Sequence, residues 1–540
     1  MVAPAADAPA LRGARQGSRR TWASWAGAAL FLLALGLRLG AAVGDLPHVY
    51  DYDEPLFVGL DIGPMWLGHT IEPAQFHHPA VYKNLSAGVL AAASVVTGWD
   101  GGDLGQTGVY GDRLVANPMP WVSIRILVAV LGAAAVALCW DAARRFGAPD
   151  WAAALAGLLG AVAPALIGIA TRIASDGFLI FAAMLAVWTL AWTLQRPSLE
   201  RQAVLGATIG LAIGTKYTSA PMLVFVLVVP WVAVRSWPRR LSWCVAAGVA
   251  AVAAFVATNP FIPVRFDEFY SEMRAQNLVY LLGQYGQSGR PLQFSLRSLF
   301  ENAGPLALGA VAAVPLLLAG AGTKRDGIAR SNALVGGIAI SLGVIGWVAF
   351  QSRYELRATR NIMPLVLPVC VLGSLALEPS WKWLQRRGAV WAGVAAMLVS
   401  GWMGVQVAKG SFDVGREFND ERAEARTWLA DNVAPGDVVM GELGTPWIGR
   451  ADIEQREVPY LADVPQSDLN SGRIDWIVSS SERSSGIYQD QARWRYLIAN
   501  YDLTLSAVCE WHSFRSWGTE IRVGRVCDPT SVGSSPQWEG

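Results

Sequence analysis

His48-Val49-Tyr50-Asp51-Tyr52-Asp53-Glu54-Pro55 follows directly on the first long apolar run of the chain, residues 21–43. Three carboxylates within four residues therefore stand where the hydropathy pattern places the edge of a membrane. Charge in or beside hydrocarbon is expensive unless it is paired or lines a watery cavity, so this cluster is a candidate functional site. A plainer reading stands next to it: Asp53 or Glu54 ahead of Pro55 makes a helix N-cap followed by a proline in the first turn. Capping accounts for one carboxylate, not three, and is compatible with a chemical role.

Outward from this stretch, the composition sets the class. Of 540 residues, 53% are apolar and 16% are charged, against about a quarter charged in an ordinary soluble chain. The apolar excess falls in blocks of about twenty residues, the mark of a polytopic α-helical membrane protein. A net charge of +1 hides a local asymmetry, because the basic residues cluster in short loops between blocks. Nothing in this pattern suggests nucleic-acid binding. Arg12, Arg15, Arg19 and Arg20 precede the first block, which is too long for a signal-peptide core. It reads as an uncleaved helix with a cytoplasmic N-terminus, and residues 1–20, with an Ala/Pro-rich beginning, read as disordered.

Further spans are expected at residues 121–140, 151–170, 177–194, 203–214, 220–234, 241–257, 304–322, 333–351, 362–377 and 389–408, about eleven in all. Residues 79–96 are apolar enough to compete. Counting them as a span would put Arg144 and Arg145 outside, against the positive-inside tendency, so residues 44–120 read as an external loop with interfacial helices. On this count the loops holding Arg144-Arg145, Arg196 and Arg201, Arg235 with Arg239-Arg240, Lys324-Arg325 with Arg330, and Lys382 with Arg386-Arg387 all face the cytoplasm. An odd number of spans leaves residues 409–540 outside.

That last part has ordinary composition. Residues 418–432 carry a helical pattern, and residues 437–440, 474–478 and 520–523 read as strands, so a small extracytoplasmic α/β domain is expected, with a loose tail from 529. Cys139, Cys244 and Cys370 fall in apolar spans and read as inert. Cys509 and Cys527 are a possible disulfide pair if this domain lies outside.

With orientation set, polar residues unsuited to membrane depth sort to one side. Asp51, Asp53 and Glu54 are joined there by His77, His78, Tyr82 and Lys83, by the Thr171-Arg172-Ile173-Ala174-Ser175-Asp176 connection, by Gly214-Thr215-Lys216-Tyr217-Thr218, by Arg353, Arg357 and Arg360, and by the loop 258–303. Carboxylates facing several Lys and Arg residues suit a base working beside a bound phosphate, since ammonium and guanidinium groups match phosphate oxygens. Each residue has a plainer use. Arg172 and Asp176 are spaced to pair across one helical turn; Lys216 at a helix end can snorkel; the three late arginines can form a solvated face. His77-His78, adjacent and ahead of Pro79, lack the i, i+4 spacing of a helical metal pair.

These segments, in this order, resemble the lipid-dependent membrane glycosyltransferases of the GT-C fold, in particular bacterial glycosyltransferase family 39, similar to protein O-mannosyltransferases and lipid A aminoarabinose transferases. The resemblance runs from about residue 36 to 428. It rests on Asp53-Glu54, on His78-Pro79-Ala80-Val81-Tyr82 beside a His-Pro-x-x-Tyr stretch, on Thr171 to Asp176, on Gly214 to Tyr217, and on Arg360-Asn361-Ile362-Met363-Pro364 beside an Arg-Tyr-x-x-Pro pattern. It implies inverting transfer of a hexosyl or pentosyl unit from a polyprenyl-phosphate donor to an extracytoplasmic hydroxyl acceptor, at the cell's inner membrane. Asp53 is implied as general base, with Glu54 positioning the acceptor or tuning that base. Lys216 and Arg360 are implied to meet the departing phosphate, with Arg357, Arg172 and Lys83 behind them. His78, Tyr82, Asp176 and Tyr217 are the remaining substrate-binding candidates. Two departures matter. Asn361 stands where the family has an aromatic, which loosens the register for Arg360, and Asp51 competes with Asp53 for the base role. No cofactor is called for; a divalent metal stays open. A secondary transporter or lipid flippase is the rival class, and would gather its charges near mid-membrane in two related halves.

Overall fold

The computed structural model describes residues 9–43, 46, 53–101, 118–283, 289–318, 327–417, 421–442, 445–458, 460–480, 500, 504, 506–515 and 520–527. Tyr50, Asp51, Tyr52 and Tyr285 lie outside these residues, as do 1–8 and the expected tail. The first helix, Pro9–Ala42, starts inside the stretch expected to be disordered and runs on through the first apolar block.

Six helices among the described residues are long and apolar enough to cross a bilayer: Trp25–Ala42, Met119–Arg145, Ser175–Gln195, Trp237–Thr258, Asn332–Gln351 and Thr359–Arg387. The pair Pro291–Ala303 and Pro305–Leu318, bent by 105°, makes a seventh if taken as one span. Gly304 turns that corner at φ 51°, a left-handed conformation that favours glycine, with the Trp402 ring filling the space of any side chain. The chain is thus a polytopic helical membrane protein.

Of the remaining expected spans, residues 389–408 fall within the 29-residue helix Ala389–Glu417, and residues 151–170, 203–214 and 220–234 correspond to shorter or broken helices. Residues 151–170 divide into Asp150–Val162 and Pro164–Ile169, because Pro164 holds Ala163 in an extended conformation. The break leaves carbonyls without helical partners. Buried Arg38, deep in the first span, donates to two of them, Gly160 and Ala161, at 3.2 Å each. Residues 220–234 begin as a 3₁₀ turn, Tyr217–Leu223, ahead of the Val224–Ala233 helix.

The Leu199–Thr215 and Trp237–Thr258 helices touch backbone to backbone. A Cβ at Gly206 or Gly210 would lie 2.0 and 2.1 Å from the carbonyl oxygens of Ala247 and Ala251. Small residues four apart are how helices approach in lipid, where apolar burial drives association little. Gly214 continues this seam against Thr258 and Asn259, and Lys216 emerges at its end.

The acidic stretch forms Asp53–Leu56, a π-helical turn Phe57–Ile62, and Gly63–Leu67 without interruption. Pro64 does not break this run. The Gly63 N–H reaches back five residues to the Val58 carbonyl, and this wider turn seats a proline that has no N–H to donate. Beneath it lies an apolar cluster of Phe57, Val58, Ile62, Tyr82, Trp121 and Phe178. The Val81–Thr97 helix has 17 residues, short of the roughly 20 needed to span.

At the C-terminal end, the Glu421–Asn432 helix covers a five-stranded sheet: β1 (Val438–Glu442), β2 (Glu454–Val458), β3 (Trp476–Ser480), β4 (Val508–Arg515) and β5 (Glu520–Val526), in the order β2-β1-β3-β5-β4. β1 runs parallel to β2 and β3, while β5 is antiparallel to both β3 and β4. Three expected strands are present; β2 and β4, both at edges, were not anticipated. A disulfide joins Cys509 to Cys527 across the β4–β5 hairpin, with Cα atoms 5.5 Å apart.

Candidate functional site

Asp53 opens the acidic stretch and pairs with Arg360, which stands on the 3₁₀ turn Thr359–Asn361. The next residue, Asn361, accepts a hydrogen bond at Oδ1 from Lys216 Nζ at 3.0 Å. Lys216 also donates to Asp176 Oδ1 at 2.6 Å, with both side chains buried. Two acid–base pairs, from four separate stretches of chain, are thus joined through the adjacent residues 360 and 361. Asp176 sits in the first turn of the Ser175–Gln195 helix, where a negative charge also complements the helix dipole.

Glu54 faces the other way. Its carboxylate receives Arg125 Nε at 3.0 Å, a second bond from Arg125 Nη2, and the Ile173 backbone N–H at 2.6 Å. Arg125 in turn donates to the Ala42 carbonyl at 3.0 Å. The side chain next to Asp53 therefore ties together the end of the first span, the Met119–Arg145 helix and the turn ahead of Asp176. A bidentate, fully buried carboxylate–guanidinium pair of this kind fixes geometry.

Lys83 is equally engaged. Its Nζ lies 3.0 Å from Asp61 Oδ2, on the π turn, and donates to the Gln75 carbonyl at 2.8 Å, with neither ion-pair side chain exposed. Burial holds the Lys83 ammonium below its ordinary value. The loop carrying Gln75 to His78 is clasped on its far side by Glu272, which accepts the Phe76 N–H at 2.6 Å and lies 3.2 Å from His77. Tyr217 donates its hydroxyl to the Phe76 carbonyl at 3.2 Å.

His78 reaches into the space between these groups, edge-on to Phe57 at 5.4 Å and to Tyr82 at 6.3 Å. Burial, then the charges of Lys216, Lys83, Arg360 and His77, push its imidazole well below the ordinary range. The ring is neutral at physiological pH and available as acceptor or donor. Burial, then Asp61, Asp53 and Asp176, push the Tyr82 phenol well up, so it stays protonated. Its hydroxyl is buried with no hydrogen-bond partner, which leaves a donor to be met by a ligand or water.

Of the sequence candidates, the structure brings Asp53, Arg360, Lys216, Asp176, His78 and Tyr82 into one neighbourhood, with Glu54 behind it. Arg172 is exposed in the turn ahead of the Ser175–Gln195 helix, while the Asp176 carboxylate is engaged by Lys216. Arg357 pairs with Glu355 at 2.8 Å and lines a crevice that Asn361 shares. Tyr217 and Lys83 support the loop carrying His78, and Asp51 lies outside the described residues. Arg125 and Asp61 were missed. For Arg125 the signal was present, a lone arginine in an otherwise apolar block. Trp66 stacks on Trp99 at 4.9 Å. Among the described residues, no three His, Cys, Asp or Glu side chains gather as a metal would require.

Fold and site together define a multi-pass membrane protein with a paired acid–base centre built at helix ends. Residues 117–263 match the profile of the family described as dolichyl-phosphate-mannose-protein mannosyltransferase. This segment contains Arg125, Arg172, Asp176, Lys216 and Tyr217. No curated protein matches the chain. Among solved structures, the chain is similar to ArnT from Cupriavidus metallidurans bound to undecaprenyl phosphate, with 16% identity and a TM-score of 0.49, over 94% of this chain and 99% of that one. The apo state of the same protein gives 15% identity and 0.48, over 94% and 98%. The S. cerevisiae protein O-mannosyltransferase Pmt1-Pmt2 complex bound to its sugar donor gives 22% identity and 0.37, over 46% of this chain and 34% of that one.

Proposed function

We propose that this chain is an inverting membrane glycosyltransferase that moves a sugar from a polyprenyl-phosphate donor to a hydroxyl acceptor on the extracytoplasmic face. The observation that carries the reading is the joined pair of ion pairs, Asp53–Arg360 and Lys216–Asp176, bridged by Asn361. The family match over residues 117–263 supports it independently.

Asp53 is the general base. The donor phosphate takes over the Arg360 guanidinium, and the released Asp53 carboxylate accepts the proton of the acceptor hydroxyl. The acceptor oxygen then bonds to the anomeric carbon as the bond from that carbon to the phosphate oxygen breaks, and polyprenyl phosphate departs with the bonding electrons. Lys216 and Arg360 meet the charge that develops on the leaving phosphate, the kind of stabilisation that is usually the largest single contribution. Glu54, with both oxygens engaged by Arg125 and Ile173, is a positioning residue for Asp53. His78 and Tyr82, a neutral imidazole and a protonated phenol, contact the substrate.

The reading includes about eleven crossings, a cytoplasmic N-terminus and an extracytoplasmic C-terminal domain in the inner membrane. The basic loops and the Cys509–Cys527 disulfide support that orientation. The test is consumption of radiolabelled polyprenyl-phosphate sugars by purified wild type and Asp53→Asn. Turnover by wild type, lost in a folded Asp53→Asn that still binds donor, is expected. Unchanged turnover moves the base to Asp51. No turnover of any donor by wild type, with lipid movement across proteoliposomes, replaces this reading with the transporter.

A further inference from the structure

The Asn361 carboxamide has one possible orientation. Lys216 can only donate, so Oδ1 faces its Nζ and Nδ2 faces away. Asn361 is 3% exposed, and its Nδ2 has no hydrogen-bond partner. Gln351, the last residue of the Gly327–Gln351 helix, is 5% exposed with Nε2 likewise unpartnered. Both residues line one narrow crevice, together with Arg357 and with Phe294 and Ser295 of the Pro291–Ala303 helix. Among the described residues, no carboxylate lines it. Glu355, which pairs with Arg357, is more than half exposed and is not part of the lining.

Buried amide donors without acceptors are rare in native proteins and call for a partner. Two such groups beside a guanidinium select for oxygen acceptors. An ammonium group placed there would face these amide donors and a like charge, with the Ser295 hydroxyl oxygen as an acceptor. The crevice adjoins the centre directly, since Asn361 belongs to both.

We infer that Asn361 and Gln351 are specificity-determining residues. They read the sugar of the donor, taking one that presents hydroxyl, carbonyl or carboxylate oxygens and refusing one that carries an ammonium group. The inference rests on Lys216 and Arg360 being the partners of the donor phosphate.

The test is equilibrium binding to the full-length protein in detergent with lipid. Labelled polyprenyl-phosphate hexose is displaced by its uronic-acid analogue, its 4-amino-sugar analogue, or sugar-free polyprenyl phosphate. In wild type the amino-sugar donor is expected to bind at least about tenfold more weakly than the hexose or uronic-acid donor. Gln351→Glu, which places an acceptor in the crevice, is expected to narrow that gap to about threefold or less. Gln351→Met is expected to weaken hexose-donor binding about three- to tenfold and leave sugar-free polyprenyl phosphate unchanged; it decides the matter if Gln351→Glu does not fold. Equal binding of amino-sugar and hexose donors by wild type overturns the inference and leaves the glycosyltransferase reading standing. So does a loss in Gln351→Met that falls equally on sugar-free polyprenyl phosphate, since that is a merely structural role. Failure of wild type to bind any polyprenyl-linked ligand overturns both.

Discussion

Replacing Glu54 by Gln keeps the side chain's shape and removes the charge that Arg125 holds. The buried carboxylate accepts two bonds from that guanidinium and one from the Ile173 N–H. An amide with its oxygen in the Oε1 position keeps the bonds from Arg125 Nε and the Ile173 N–H but turns its NH₂ toward Arg125 Nη2, donor against donor, with the Arg125 charge uncompensated. Breaking a buried pair in this way costs about 3–5 kcal/mol, which for a chain of this size lowers the unfolding temperature by roughly 3–4 °C. Its neighbour is predicted to behave in the opposite way. Arg360, the partner of Asp53, is more than a third exposed, so solvent screens it and Asp53→Asn changes stability by about 1 kcal/mol or less. Turnover in Asp53→Asn falls by about 10²- to 10⁴-fold, the usual worth of a positioned base. Thermal unfolding in detergent and donor consumption, measured on both variants, separate the two roles. Removing both charges in Glu54→Gln with Arg125→Gln is expected to recover much of the lost stability, because the two sites are coupled. A Glu54→Gln protein that unfolds like wild type but loses turnover as Asp53→Asn does would refute the pinning argument and put Glu54 in contact with substrate.

Lys83→Met leaves Asp61 buried and unpaired and is expected to destabilise by about 3–5 kcal/mol, whereas Asp61→Leu with Lys83→Met is close to neutral; equal losses in the single and double variants would mean the pair holds more than itself. His78 gives stability a pH dependence. Its folded imidazole takes a proton only well below the ordinary 6.5, so below about pH 6.5 the unfolded state binds more protons. Stability is then full above that pH and declines as pH falls, by at most about 1.4 kcal/mol per unit; His78→Gln should flatten this slope in pH-dependent unfolding. Reducing Cys509–Cys527, which are 18 residues apart, is expected to destabilise the C-terminal part by about 3 kcal/mol. Alkylation mass shifts at those two cysteines only after reduction check that the bond is present in the purified protein.

How much of this was readable depended on what each residue contrasts with. Asp53, Lys216 and Arg360 stand at the ends of apolar blocks, where an ion is rare enough to be noticed. Partner choice was not readable, because it is tertiary. Asp176 looked ready to pair with Arg172 four residues back, but that requires both on one helix, and the helix begins at Ser175. Asp61 gave no warning: it sits on a π turn, where the 3.6-residue period used to assign faces does not hold. β2 and β4 escaped because edge strands need only one buried face, and Glu-Gln-Arg-Glu-Val has hardly any apolar alternation to show.

Asn361 makes the same point from the other side. Read against the family pattern, a missing aromatic loosens the alignment of Arg360. In the fold, that residue is where the two ion pairs meet. Adjacent side chains on a 3₁₀ turn point about 120° apart, so Arg360 can face Asp53 while Asn361 faces Lys216. A tyrosine at 361 would carry its oxygen at the far end of a ring, beyond the place from which Asn361 Oδ1 meets the Lys216 ammonium. The Asn361 main chain is held from behind as well, its carbonyl accepting the indole N–H of buried Trp347 at 3.1 Å. The departure from the pattern therefore places a short amide side chain in hydrogen bond with the cation that the proposed reaction uses. It also frees the NH₂ group that distinguishes this crevice from one lined by a ring. A substitution that weakens a resemblance in the sequence is, in this fold, a direct contact of the site.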